Sequence, residues 1–309
     1  MRKEEFFYES RDGVSRIHAV RYTPDNGEVR GIFQIVHGMA EYVERYEDIA
    51  EYMTDRGFVV TGDDHLGHGK SVPEGGTYGY FCEQDPATVV VRDVHRLKKM
   101  TQELYPGVPY ILLGHSMGSF IARNYICRYG SGITAAVIMG TGMQPKALIG
   151  VSKFLAGFQK IFLGDKHPAK FINGLAFGSY NKRIARPRTE FDWLSVNEAN
   201  VDKYIDDSLC GRLFTVNGFR TLFELISRLL NRKNLEGVPK ELPIFFVAGA
   251  EDPVGDYGKG VEQARDSLAV VGVKDISLKL YPGDRHEILN EDDRDTVKED
   301  IYNWILEKL

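Results

Sequence analysis

Short apolar runs alternate along most of this chain with stretches whose apolar residues return every three or four positions. The runs are "GIFQIVHG", "GFVVTGDD", "YILLGH", "ITAAVIMG", "LPIFFVAG" and "ISLKLYPG". Each is too short for a buried helix and ends near Gly, Pro or Asp, which reads as a buried strand. Between them lie helix-like stretches from Glu41 to Asp55, over 86–105 (Val90, Val91, Val94, Leu97 and Leu104 on one side), after Ser116, through Val271, and to Leu309. "FFYES" and "SRIHAVRYTP", joined at Asp12-Gly13, read as an N-terminal hairpin. Strands that alternate with helices imply an α/β fold: a mostly parallel central sheet with helices on both faces. Such sheets bind ligands beyond the carboxyl ends of their strands.

The alternation stops between about Gly142 and Val238. "KFLAGFQKIFLG" and "FRTLFELISRLLNR" carry Phe154, Leu155, Phe158, Ile161, Phe162 and Phe219, Leu222, Ile226, Leu229, Leu230 at helical spacing. The expected division is therefore a core of 1–141 and 239–309 with a helical cap inserted at 142–238. The apolar cap faces are expected over the strand ends and Ser116, lining an apolar pocket, and they also suit transient contact with a membrane surface.

At the junction "LLGHSMGSF", Gly114-x-Ser116-x-Gly118 falls between an apolar strand and an amphipathic helix. This is the nucleophile-elbow pattern, a turn tight enough to strain the serine and hold its hydroxyl above the sheet. The N–H of Met117 then faces a developing oxyanion. A serine needs a base oriented by an acid. Asp252 follows the strand of "FFVAGAEDPVG", with Pro253 fixing the turn and Glu251 read as a solvated neighbour. His286, in "YPGDRHEILNE", is the only histidine in the last third of the chain. Met39 N–H, after "GIFQIVHG", is the second oxyanion donor, with His37 supporting that loop. His65 and His68 in "DDHLGHGKS" lack a further ligand cluster and are read as loop-shaping; no metal and no cofactor is expected.

These motifs in this order ("HGMAEYVERY", "DDHLGHGKS", "GHSMGS", "AGAEDPVG", "YPGDRHEILNE") resemble the α/β-hydrolase fold. More narrowly they resemble the monoacylglycerol lipase/lysophospholipase-like serine hydrolases, from residue 37 to 291. "TEFDWLSVNEANVDKYIDDSLCG" also looks like the cap of bacterial members. The resemblance implies Ser116, Asp252 and His286 as a triad, Met39 and Met117 as the oxyanion hole, and acyl esters as substrates. Met39 departs from the small residue of many relatives and narrows the expected acyl pocket. The expected activity is carboxylic-ester hydrolysis through an acyl-enzyme on Ser116. The alternatives are an amidase or aminopeptidase with the same triad, and a non-catalytic ligand-binding hydrolase fold. Epoxide and haloalkane hydrolases need an aspartate at position 116.

Charge and cysteine content bound the partners. Lys and Arg number 39 against 44 Asp and Glu, a net charge of −5 without a basic block, which disfavours nucleic acid. A small-molecule acyl ester is the expected partner. Cys82, Cys127 and Cys210 are isolated, and neither an h-region nor an 18-residue apolar run is found. The expected compartment is cytoplasmic.

Overall fold

The computed structural model describes residues 1–25, 27 and 29–309. Eight strands form one sheet: β1 (Arg2–Glu9), β2 (Arg16–Thr23), β3 (Gly31–Val36), β4 (Phe58–Asp63), β5 (Tyr110–His115), β6 (Ala135–Met139), β7 (Ile244–Gly249) and β8 (Ile276–Tyr281). Their order is β1-β2-β4-β3-β5-β6-β7-β8. The β1–β2 hairpin and the β2–β4 pairing are antiparallel, and every pairing from β4 to β8 is parallel. Among the described residues the α-helices are α1 (Glu47–Thr54), α2 (Pro86–Leu104), α3 (Met117–Tyr129), α4 (Lys146–Leu163), α5 (Lys170–Phe177), α6 (Glu198–Asp206), α7 (Val216–Leu229), α8 (Arg232–Leu235), α9 (Lys259–Val270) and α10 (Arg294–Leu306).

The two-residue period of the strands sorts their side chains to two faces. Phe33, Ile35, Val60, Ile111, Leu113, Val137 and Val247 meet α1 and α10 through Ile49, Met53, Ile301 and Trp304. Their neighbours Ile32, Val59, Leu112, Ile138, Phe246 and Ala248 meet α2, α3, α7 and α9 through Val94, Leu97, Phe120, Ile121, Phe219 and Val261. β3 to β7 are buried on both faces, which is why they read as continuous apolar runs rather than alternating ones.

The helices between β6 and β7 divide sharply. α7 packs on α3, α2 and α4. Its Phe219, Leu222, Phe223, Ile226 and Leu229 are buried in the same cluster as Phe120 and Ile121 of α3. Thr215 caps α7 by accepting from Gly218 N at 3.2 Å while donating to Gly79 O at 2.7 Å. The Phe219–Leu229 stripe is thus core, not pocket lining. α4 packs one stripe, with Ile149 and Ala156 buried, and leaves another bare: Phe154 is 72%, Ile161 78% and Phe162 68% exposed. The expectation that Phe154–Phe162 faces inward over Ser116 is corrected. α4 is apolar on more than one side, and packing on α7 uses only one of them.

Phe219 is fully buried. Phe219→Ala is therefore expected to destabilise the protein by about 3–5 kcal/mol, read from the urea midpoint, through lost burial plus a cavity. An unchanged midpoint would return the α7 stripe to the pocket.

Candidate active site

β5 ends at His115 and α3 begins at Met117, so Ser116 alone makes the turn between them. Its φ of 55° and ψ of −122° lie where an L-residue is strained. The turn brings the start of α3 against the end of β3. A Cβ on Gly118 would stand 1.9 Å from Val36 O and 2.5 Å from His37 O. One on Gly114 would stand 2.4 Å from Gly118 O and 2.6 Å from Ala122 Cβ. No side chain fits at either glycine. Ser116 N donates to Met139 O at the end of β6, 3.0 Å away.

The loop after β3 is held by histidines. His37 Nδ1 is 2.8 Å from Gly38 O, and its Nε2 is 3.0 Å from His65 N. A backbone N–H can only donate, so Nε2 is the bare nitrogen and Nδ1–H donates to the Gly38 carbonyl. Burial, helped by neighbouring His65 and His68, keeps His37 well below the ordinary histidine range, which suits this neutral tautomer. The ring of His65 stacks on His37 at 4.0 Å and that of His68 meets its edge at 5.2 Å. With Gly38 C=O turned towards His37, the trans peptide directs Met39 N–H the other way. Met117 N–H belongs to the first turn of α3, where amides have no acceptor within the helix.

Asp252 is fully buried just after β7, and Glu251 and Asp256 are exposed. Asp252 Oδ1 accepts from Val254 N at 2.8 Å and Oδ2 lies 2.9 Å from His286 Nδ1. His286 is 2% exposed. Burial opposes its charge, but the Asp252 carboxylate outweighs burial and holds its pKa above the ordinary histidine value. A Cβ on Gly140 would stand 3.1 Å from His286 Cε1 and 3.0 Å from His115 Cδ2, which brings the His286 ring beside the residue that precedes Ser116. The structure therefore sets Ser116, Asp252, His286 and the Met39 and Met117 amides in the loops at the carboxyl ends of β3, β5, β7 and β8.

Other residues at the site were not singled out from the sequence. Trp193, from the segment between α5 and α6, has its ring 5.1 Å from that of His286. The same segment is latched to the His286 loop. Arg285 Nη1 donates to Asp192 O and Ser195 O at 2.7 and 3.0 Å, and Glu291 accepts from Ser195 Oγ at 2.6 Å and Val196 N at 2.9 Å. Glu41, Arg45 and Glu287 form a buried ion network beside the β3 loop. The only sequence signal for it is the Glu41–Arg45 spacing, which also describes a common exposed helical pair.

The chain matches the family described as "Serine aminopeptidase, S33" over residues 27–293. It is 29% identical over 300 residues to the monoacylglycerol lipase of Mycolicibacterium smegmatis, covering 96% of this chain and 95% of that one. It is 27% identical to human monoglyceride lipase over 296 residues, with 93% and 86% covered. A thermostable carboxyl esterase from Bacillus coagulans, solved in complex with glycerol, superposes with a TM-score of 0.90 at 34% identity, over 99% of this chain and 98% of the other. No described helix is long and apolar enough to cross a membrane. By the family match, the chain belongs to the serine aminopeptidase S33 family, with an α/β-hydrolase fold, and it is similar to monoacylglycerol lipases and a carboxyl esterase.

Proposed function

We propose that this protein is a serine carboxylic-ester hydrolase acting on monoacylglycerols or related acyl esters, with Ser116, Asp252 and His286 as its triad. The buried Asp252–His286 pair, its imidazole 4.7 Å from the ring of His115, the residue before the strained Ser116, is the observation that carries the reading. His286 Nδ1–H donates to Asp252, which leaves Nε2 bare to accept the serine proton. Ser116 Oγ adds to the ester carbonyl while Met39 and Met117 N–H receive the oxyanion. His286 returns the proton to the leaving alcohol, and water then releases the acid from the acyl-enzyme. The same triad would cleave an amide; the esterase and monoacylglycerol lipases compared above favour the ester.

The insertion from 142 to 238 serves as a cap, with α7 as its buried base. On its outer side Leu148, Val151, Phe154, Phe158, Ile161, Phe162, Phe171 and Leu175 are exposed, and Lys146, Lys166 and Lys170 flank them. Leu155, Phe158, Phe162, Leu163 and Phe171 line a groove of about 410 Å³ between α4 and α5. A bare apolar face with cationic margins suits a lipid aggregate presenting the substrate.

Three outcomes test this. Ser116→Ala is expected to abolish both fluorophosphonate labelling and ester turnover; persistent labelling would move the nucleophile elsewhere. His286 must be neutral to act, so kcat/KM should fall as pH drops through an acid limb above the free histidine value of about 6.5. Asp252→Asn should move that limb down and lower kcat by roughly 10⁴-fold, and Glu251→Gln should do neither. Equal damage at the two positions would assign the acid wrongly. Finally, Phe154→Glu with Ile161→Glu should weaken turnover of monoacylglycerol in vesicles while sparing soluble p-nitrophenyl butyrate. An equal loss on both substrates would remove the lipid-surface role.

A further inference from the structure

Beside the elbow lies a buried polar group that the proposed chemistry leaves without a task. Glu41 Oε1 accepts from Gly38 N at 2.6 Å and from Tyr46 OH at 2.7 Å, and Oε2 accepts from Arg45 Nη1 at 2.6 Å. Arg45 also clamps Glu287 with Nη1 and Nη2, each at 2.8 Å. Tyr46 OH lies 2.7 Å from His115 Nδ1, and His115 Nε2 lies 3.2 Å from the carbonyl of His286. Glu41, His115 and Glu287 are each buried to within a few per cent.

The hydrogen bonds set a proton count. The His286 carbonyl can only accept, so His115 Nε2 carries a hydrogen. Tyr46 has one hydroxyl proton and two close partners. If that proton faces Glu41, His115 Nδ1 must be protonated as well; if it faces Nδ1, the Glu41 carboxyl must carry a proton. In both arrangements the group holds one proton beyond two carboxylates, a guanidinium and a neutral imidazole. Charge leads to the same count. Two carboxylates and one guanidinium leave −1, which the extra proton cancels, and a buried network is stable only when its charges are compensated. Around it, the Tyr204 ring lies under Arg45 at 4.9 Å, His115 Nδ1 also stands 3.4 Å from Glu41 Oε1, and Asn200 and Asn290 donate to Glu287 at 2.7 and 3.1 Å.

This group reaches the oxyanion loop, the elbow and the histidine loop. Glu41 holds Gly38 N–H, one peptide before the Met39 donor. His115 precedes Ser116 in the chain. His115 Nε2 lies against the His286 carbonyl, and Glu287 follows His286 in the chain. We propose that Glu41 is a positioning residue: with the proton it shares with His115 through Tyr46, it fixes the oxyanion loop, the elbow and the histidine loop in one frame. The proposal rests on the triad assigned above.

A loosened oxyanion donor weakens the transition state more than the ground state. In Glu41→Gln the amide keeps the volume but cannot carry the shared proton or the charge facing Arg45. On a soluble p-nitrophenyl ester, kcat is expected to fall about 10²-fold, with KM within about threefold. The Ki of a trifluoromethyl ketone, which forms an oxyanion adduct on the serine, should rise by the same factor as kcat/KM falls. Tyr46→Phe, which keeps the ring and removes the proton path, should show the same split at smaller amplitude, and it decides the question if Glu41→Gln does not fold. A rise in KM at unchanged kcat, or a ketone Ki that stays fixed while kcat drops, would overturn the proposal. Failure of the triad itself is read separately: it would appear as Ser116→Ala retaining turnover, whatever Glu41 does.

Discussion

The tightest constraint in the molecule is the approach of α3 to the end of β3. Gly118 sits so close to the carbonyls of Val36 and His37 that a methyl group there would overlap them. That contact places the Met117 amide opposite the loop that carries Met39. It also forces the serine between two elements that leave no spare residue, which accounts for its positive φ. The strain is small beside the burial on either side of it: both the strand before Ser116 and the helix after it are embedded in the core.

Around this contact the polar groups are arranged so that few protons have a choice. The His37 tautomer follows from His65 N–H, and that of His286 from Asp252. His65 and His68 reinforce the same logic from below, since burial holds both near a pKa of about 4 and keeps their rings neutral for stacking. Preorganisation of this kind lets a developing negative charge meet dipoles that are already aligned.

Much of this was legible in the residues. β3 to β7 stood out because burial on both faces demands unbroken apolar runs, and Ser116, Asp252 and His286 stood out because each follows a strand in a turn marked by Gly or Pro. Those signals are local. The roles of α4 and α7 were not legible, because both show an apolar helical stripe and a stripe does not name its partner. α7 found the core and α4 found it with one side only. The Glu41–Arg45 pair was hidden for a related reason. Its spacing is that of an ordinary surface pair, and only Glu287, 242 positions away from Arg45, makes it interior. Trp193 reaches His286 from an irregular segment whose sequence carries no periodic signal.

The insertion is anchored unevenly. Residues 192–200 are gripped by Arg285, Glu287 and Glu291, which flank the proposed base, whereas α4 rests on α7, α5 lies against α4, and both present their other side to solvent. The gripped part shares its fastenings with the loop of the proposed base, so a displacement there is transmitted to His286. The outer helices share none of those fastenings. Their apolar outer face is therefore mechanically separate from the His286 loop, and a change of side chain on it leaves that loop's hydrogen bonds in place.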